Sequence, residues 1–339
     1  MSHSTRVIRF ASALALALGL VSAVASAADK AAWKMPRTAD GHPDLQGVWT
    51  SATITPLERP DEFGERLTLS AEEAAKLENA ESNLVRNSAR PTDLTRALPG
   101  DCREFGRGCG YNNFWLDRGS QVVTIDGRKR ASLLIDPTNG KIPALVPERA
   151  RYMASRMQQM RQNYDGPEAR PLGERCLLAF GSSSGPPMLP VLYNNHYQIV
   201  QNEDTVVILV EMVHDARVIR VGGTHVPPTV RKWMGDSVGR WEGDTLVVET
   251  TNFTDYESFR GATANARVIE RFTRVAPDRI HYRFTVDDPS AFTRPFTGEV
   301  PLHLTDDMIY EYACHEGNYA LPGVLAGARE QEKRASTGR

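Results

Sequence analysis

Alternation of apolar and polar side chains dominates the second half of the chain. Between residues 279 and 286, Ile280, Tyr282, Phe284 and Val286 fall on one face of an extended strand, and Arg279, His281, Arg283 and Thr285 on the other. Comparable β-rich runs occur at Gln198–Gln201, Thr205–Val213, Val218–Val221, Thr245–Thr251, Arg267–Val275, Gly298–Leu304 and Met308–Ala313. Turn signals separate them, among them Asn202-Glu203-Asp204, Glu242-Gly243-Asp244, Ala276-Pro277-Asp278 and Thr305-Asp306-Asp307. Strands at this spacing, with no long helix between them, predict an antiparallel meander that closes as a barrel or stacks as a sandwich.

The first half is mixed. Leu45–Ser51 reads as a strand that follows an extended arm over residues 28–44. Ser70 and Glu73 form a capping box that opens a helix from Ala71 to about Asn87, which Arg90-Pro91 ends. The runs Gln121–Ile125 and Ser132–Ile135, with Asp126-Gly127-Arg128 between them, predict a hairpin. Pro147–Asn163 is helical in character, with a basic side of Arg149, Arg151, Arg156 and Arg161, and Gly181–Pro190 is loop. The organisation expected is one β-rich domain over 45–326 with a mixed α/β insertion at about 60–190 and a polar tail over 327–339.

The N-terminus changes the compartment. Arg6 and Arg9 precede an apolar run from Phe10 to Ala25 that ends in Ala25-Ser26-Ala27, the three parts of a cleavable signal peptide over residues 1–27. The mature chain is therefore expected to be periplasmic or secreted, with no integral membrane segment. Four cysteines, an even number, then read as two disulfides. Cys102 with Cys109 would close a small loop, and Cys176 with Cys314 a long one worth about 4–5 kcal/mol in the chain-entropy model. A formal net charge of -2 and the lack of a Lys/Arg run exclude nucleic acid as the main partner. Oligomeric state is not legible.

Gly47-Val48-Trp49 resembles the Gly-x-Trp step that opens lipocalin barrels, where the Trp plugs the closed end. With the downstream meander, this points to a mainly β fold: an antiparallel meander closing as a lipocalin-like barrel, with a few helices in an N-terminal insertion. Three longer stretches, Pro36–Trp49 (PRTADGHPDLQGVW), Gly235–Asp255 (GDSVGRWEGDTLVVETTNFTD) and Tyr310–Tyr319 (YEYACHEGNY), resemble a family of exported proteins of proteobacteria and acidobacteria. That resemblance implies export and a β-rich fold, and brings no activity with it.

Candidate chemistry gathers at strand ends. His315 and Glu316, beside Cys314, are an acid/base pair if Gly317 turns the backbone so that both face one pocket. His214, Asp215 and His225 follow an apolar strand and are further catalytic candidates. Asn318, Arg217, Glu249 and Glu211 are candidate substrate contacts. Glu211 and Glu249 lie within apolar runs, so each needs a partner, with Arg271, Arg217 or Arg220 available. No tight His or Cys spacing predicts a metal, and no phosphate loop, dinucleotide fingerprint or Gly-x-Ser-x-Gly elbow occurs. Ser182-Ser183-Ser184 reads as linker. The expectation is an exported enzyme acting on a small, partly apolar molecule by acid/base chemistry, without metal or cofactor. The alternatives are a non-catalytic small-molecule carrier, a metal-dependent enzyme, or a structural envelope protein. All the functional readings assume space inside the barrel.

Overall fold

The computed structural model describes residues 33–88, 116–179, 185–255 and 259–338. The expected signal peptide over 1–27, the expected Cys102–Cys109 bridge and Ser182-Ser183-Ser184 fall outside the described residues. From Met35 onward the chain forms one compact unit.

Twelve strands and three helices are described, in chain order. They are β1 (Gly47–Thr50), α1 (Ala71–Ser88), β2 (Thr124–Ile125), β3 (Arg128–Lys129), β4 (Leu134–Asp136), α2 (Pro147–Gln162), β5 (His196–Gln201), β6 (Thr205–Val210), β7 (Ala216–Val221), β8 (Asp236–Glu242), β9 (Thr245–Thr251), β10 (Arg267–Ala276), β11 (Arg279–Asp287), β12 (Phe296–Leu304) and α3 (Ala320–Ser336). Nine strands form a closed barrel in the order β1-β5-β6-β7-β8-β9-β10-β11-β12, and β12 returns to β1 through the pair Trp49/Leu304. A ring with an odd number of strands cannot alternate direction throughout. Its one parallel pair is β7 with β8, in the register Ile219/Ser237. The other edge of β12 is shared, because β4 pairs with its first residues (Leu134/Gly298) and β1 with its last. The fold is mainly β with a closed barrel, as the alternation predicts. No helix among the described residues is long and apolar enough to cross a membrane.

Several local expectations hold for physical reasons. Ser70 Oγ accepts the Glu73 N–H at 3.1 Å, and Glu73 returns a carboxylate oxygen to the Ser70 N–H at 2.8 Å, so α1 begins in a reciprocal capping box. Pro147 occupies the first turn of α2, where its missing N–H costs nothing. Cys176 and Cys314 are bonded, with Cα atoms 5.7 Å apart.

Other expectations are corrected. The Asp126-Gly127 turn, with φ of 50° and 73°, joins β2 to β3. The run Ser132–Ile135 instead supplies β4, which joins β12 and not the 121–125 run. The apolar run Thr205–Val213 stops being a strand at Val210, where the chain enters a 3-10 turn with Val213 at φ 61°. β8 was not foreseen, because its sequence DSVGRWE carries charges at both ends and an internal glycine. Gly239 is required there, since a Cβ would lie 2.9 Å from Ile219 Cγ2 across the parallel pairing. Met308–Ala313 is not a strand. Residues 305–319 run as an irregular strap that Cys314 ties to Cys176. Part of the stretch expected as a polar tail lies in α3, all of whose residues remain at least partly exposed.

The inward positions of the barrel are filled. Trp49, Tyr197, Phe272, Tyr282, Phe284 and Phe296 are essentially inaccessible. Trp49 closes one end, donating its indole N–H to Leu45 O at 3.0 Å, with the Arg274 guanidinium 5.3 Å from its ring centroid. Halfway along, Arg217 and Glu270 form a two-pronged ion pair at 3.0 and 2.6 Å, with side-chain exposures of 1% and 0%. Tyr282 donates its hydroxyl to Glu270 at 2.8 Å and accepts the Met188 N–H at 2.9 Å. At the opposite end from Trp49, Val268 of β10 and Val286 of β11 form the last inward layer. That end is the mouth.

Candidate functional site

α2 is fixed across the mouth by backbone pairing. Leu145 bridges to Phe292, and Val146 N–H donates to Ala291 O at 2.8 Å. A helical period of 3.6 then places Arg149, Tyr152, Met153, Arg156, Met157 and Met160 on one face, and all six line a cleft of about 270 Å³ between the helix and the barrel. The floor is the mouth itself, formed by the buried residues Ala262, Ala266, Val268 and Val286. Leu178, Ala179, Pro186, Phe253 and Phe259 supply further apolar wall, and Trp233 stands at the rim.

Arg149 organises one side of this cleft. Its Nε–H donates to Gly261 O at 2.7 Å, its Nη2 to Ala262 O at 2.8 Å and to Asp255 Oδ1 at 3.0 Å. Its guanidinium also lies over the Tyr152 ring, 4.6 Å from the centroid. One buried cation thus clamps the 255–262 turn to α2. Asp288 fixes the next turn, accepting Thr263 Oγ1–H at 3.2 Å and Ser290 N–H at 3.0 Å. A second cleft of about 420 Å³, lined by Asp215, Arg217, Arg220 and Lys232, shares Trp233 and Leu178 with the first.

The residues singled out in the sequence occupy four separate places. His315 and Glu316 are exposed on the strap and neither lines the mouth cleft. Asn318, in the same strap, donates to Cys176 Sγ at 3.4 Å beside another opening of about 660 Å³. His214 belongs to the 3-10 turn after β6, and its side chain lies outside the described residues. Asp215 caps that turn and lines the second cleft. Arg217 points into the barrel. Of the residues named, Asp215 and Arg217 both line the second cleft, and His225 approaches Glu249, with His225 Nε2 3.6 Å from Glu249 Oε1.

The partners expected for the strand carboxylates are also redistributed. Glu211 binds His196 Nδ1 at 2.8 Å rather than an arginine, because both sit where β5 begins and β6 ends. Arg217 takes Glu270, Arg220 takes Asp236, Arg271 takes Glu242, and Glu249 takes Arg267. Hydrogen bonding by Glu211 raises the His196 pKa against the opposing effect of burial. Burial likewise opposes ionisation of Glu211, but His196 holds that carboxyl below its ordinary range.

Asp236 is a heavily satisfied acid. It is buried, yet it accepts from Arg220, Lys232, the Val226 N–H and His225 at 2.7–3.2 Å. Burial alone would raise its pKa, and these donors hold it well below the usual carboxylate range. His225 Nδ1 lies 3.1 Å from this carboxylate, which orients the ring and fastens the 222–235 connection to β8. Among the described residues, no group of three or more His, Cys, Asp or Glu is placed to hold a metal ion.

Sequence reasoning passed over Asp236, Glu270 and the cleft face of α2. The signal for Glu270 was present, since Val268, Glu270 and Phe272 share one face of β10. For α2, the spacing of Met153, Met157 and Met160 at i, i+4 and i+7 was the readable sign. Comparison with protein-family models, with curated proteins and with solved structures finds no match.

Proposed function

We propose that this is an exported small-molecule-binding protein that holds its ligand in the cleft between α2 and the barrel mouth. The observation that carries the reading is the cleft's construction: an apolar floor made of barrel residues, a fixed helical wall with three methionines, and a few polar groups at the edge. Ligand sites are generally built this way, mostly apolar with sparse polar groups that set orientation. Methionine suits the wall, because its flexible thioether adapts to different apolar shapes. Export is supported by the Arg6–Ala27 pattern and by the Cys176–Cys314 bond, which persists best in an oxidising compartment.

Binding is preferred to acid/base catalysis because His315 and Glu316 stand in solvent and outside the cleft lining. The test is a fluorescence titration with a neutral apolar dye such as Nile red, on the wild type and on the double variant Met157→Glu/Met160→Glu. Met157 is exposed and Met160 only partly buried, so the fold should tolerate the change. Saturable binding that weakens at least tenfold in the variant, with an unchanged circular dichroism spectrum, is the expected result. A wild type that does not bind, or a variant that binds equally well, refutes the proposal.

A further inference from the structure

We infer that a second binding site, for a small organic monocarboxylate, lies on the outside of the barrel at its closed end, with Arg279 as the anchoring group. It shares no lining residue with the mouth cleft and does not depend on the binding reading above.

Strand register puts the site together. Arg279 opens β11, and His303, near the end of β12, lies directly opposite it. Ile280 and Leu302 are buried inside the barrel, so the alternation along each strand turns Arg279 and His303 outward together. The segment 119–124 crosses beside them and leaves an opening of about 500 Å³, whose lining includes Arg279, Pro301, His303, Ser120 and Thr124.

The far wall of the opening is held by its own hydrogen bonds. Thr53 Oγ1–H donates to Gln121 O at 2.8 Å, the Ile54 N–H to the same oxygen at 3.2 Å, and Thr55 Oγ1 accepts the Val123 N–H at 2.8 Å. Gly119, at φ 75°, packs so closely that a Cβ would lie 2.8 Å from the carbonyl carbon of Ala52. A pocket walled in this way exists before any ligand arrives, which spares the ligand the cost of ordering it.

Charge selects the ligand. Arg217, Arg220, Arg267 and Arg271 each face a carboxylate. The Arg279 side chain, by contrast, makes no ion pair and no hydrogen bond among the described residues, and its Nε is buried without a partner. With Nε shut away from water, the cation is incompletely solvated and its Nη groups are left to meet a ligand. Its charge is felt within the opening: partial burial, and after it the charge on Arg279, lower the His303 pKa against the opposing effect of Asp278. The paired Nη–H groups of a guanidinium match the two oxygens of a carboxylate. Arg279 offers one positive charge beside a neutral imidazole, so a dianionic phosphate leaves its second charge unmatched. The hydroxyls of Ser120 and Thr124 make the lining suit a polar substituent next to the carboxylate.

The experiment is an NMR titration of the isotope-labelled protein at neutral pH with lactate, its neutral analogue lactamide, and inorganic phosphate. The arginine Nε–H and histidine ring signals are followed, and Arg279→Gln identifies the Arg279 signal. Lactate is expected to move the Arg279 and His303 signals along one saturating curve, with an affinity at least tenfold higher than that of lactamide and higher than that of phosphate. In Arg279→Gln the His303 response to lactate is expected to disappear, with the rest of the spectrum preserved. The inference is overturned if lactate moves neither signal or does not saturate, if lactamide binds as well, if phosphate is preferred, or if Arg279→Gln leaves the His303 response intact.

Discussion

The ion pair inside the barrel gives the sharpest test of how this fold is held together. Replacing Glu270 by Gln keeps the shape but removes the charge that faces Arg217 at 2.6 and 3.0 Å. Arg217 is 1% exposed, so it cannot turn to water. Glu270's charge keeps the guanidinium protonated despite burial, and without it that charge is uncompensated. Breaking one partner of a buried pair costs about 3–5 kcal/mol. Arg217 Nε is already buried with no hydrogen-bond partner among the described residues, so no spare contact cushions the loss. Removing both charges is different, because the desolvation penalty disappears with them. The double variant Arg217→Met/Glu270→Leu is therefore expected to lie within about 1 kcal/mol of the wild type or to exceed it. The remaining cost is the Tyr282 hydroxyl, which loses its acceptor at 2.8 Å but keeps the Met188 N–H. Urea unfolding of the three proteins supplies the assay, with the denaturant slope checked for constancy. A loss below about 1.5 kcal/mol in Glu270→Gln would refute the reasoning. So would a double variant as unstable as the single one, which would mean that the pair positions the strands rather than neutralising a trapped charge.

Two further outcomes follow from packing and from titration. Gly298→Ala places a methyl group on the Phe284 ring and should cost about 1–3 kcal/mol, with Phe284→Leu restoring part of it; equal stability of Gly298→Ala and wild type in the same urea assay would contradict the packing. His196 has a raised folded pKa, so its stabilising contribution is fully present below the unfolded value of about 6.5 and is lost as pH rises through the folded value. The carboxylates concerned are chiefly Glu211, with weaker contributions from Asp117 and Asp307. The urea midpoint should therefore fall with rising pH above about 6.5, and His196→Gln should flatten that dependence; an unchanged slope in the variant would show that other groups carry it.

The outline of the barrel was legible because strands such as β10 and β11 bury one face, and a period of two follows directly from that. The helices α1 and α2 were legible from local chemistry: a capping box in one, a first-turn proline and 3.6-residue periodicity in the other. Strand β8 was not, since its place depends on a parallel contact with β7 that closes an odd ring, and nothing within DSVGRWE encodes that partner. Met308–Ala313 misled for the converse reason. Its composition suits a strand, but β1 and β4 already occupy the free edge of β12, so this segment has no edge to join. The site divides in the same way. Residue types at strand ends marked His225, Glu249, Asp215 and Arg217 as chemically able, yet whether two of them meet depends on strand order and on which face each occupies. The cleft consists of α2 and the mouth together, two parts more than 100 residues apart. Local pattern determined what each segment becomes, and long-range pairing alone decided which segments share a surface, because proximity across a closed sheet is a property of the whole ring and of no single strand.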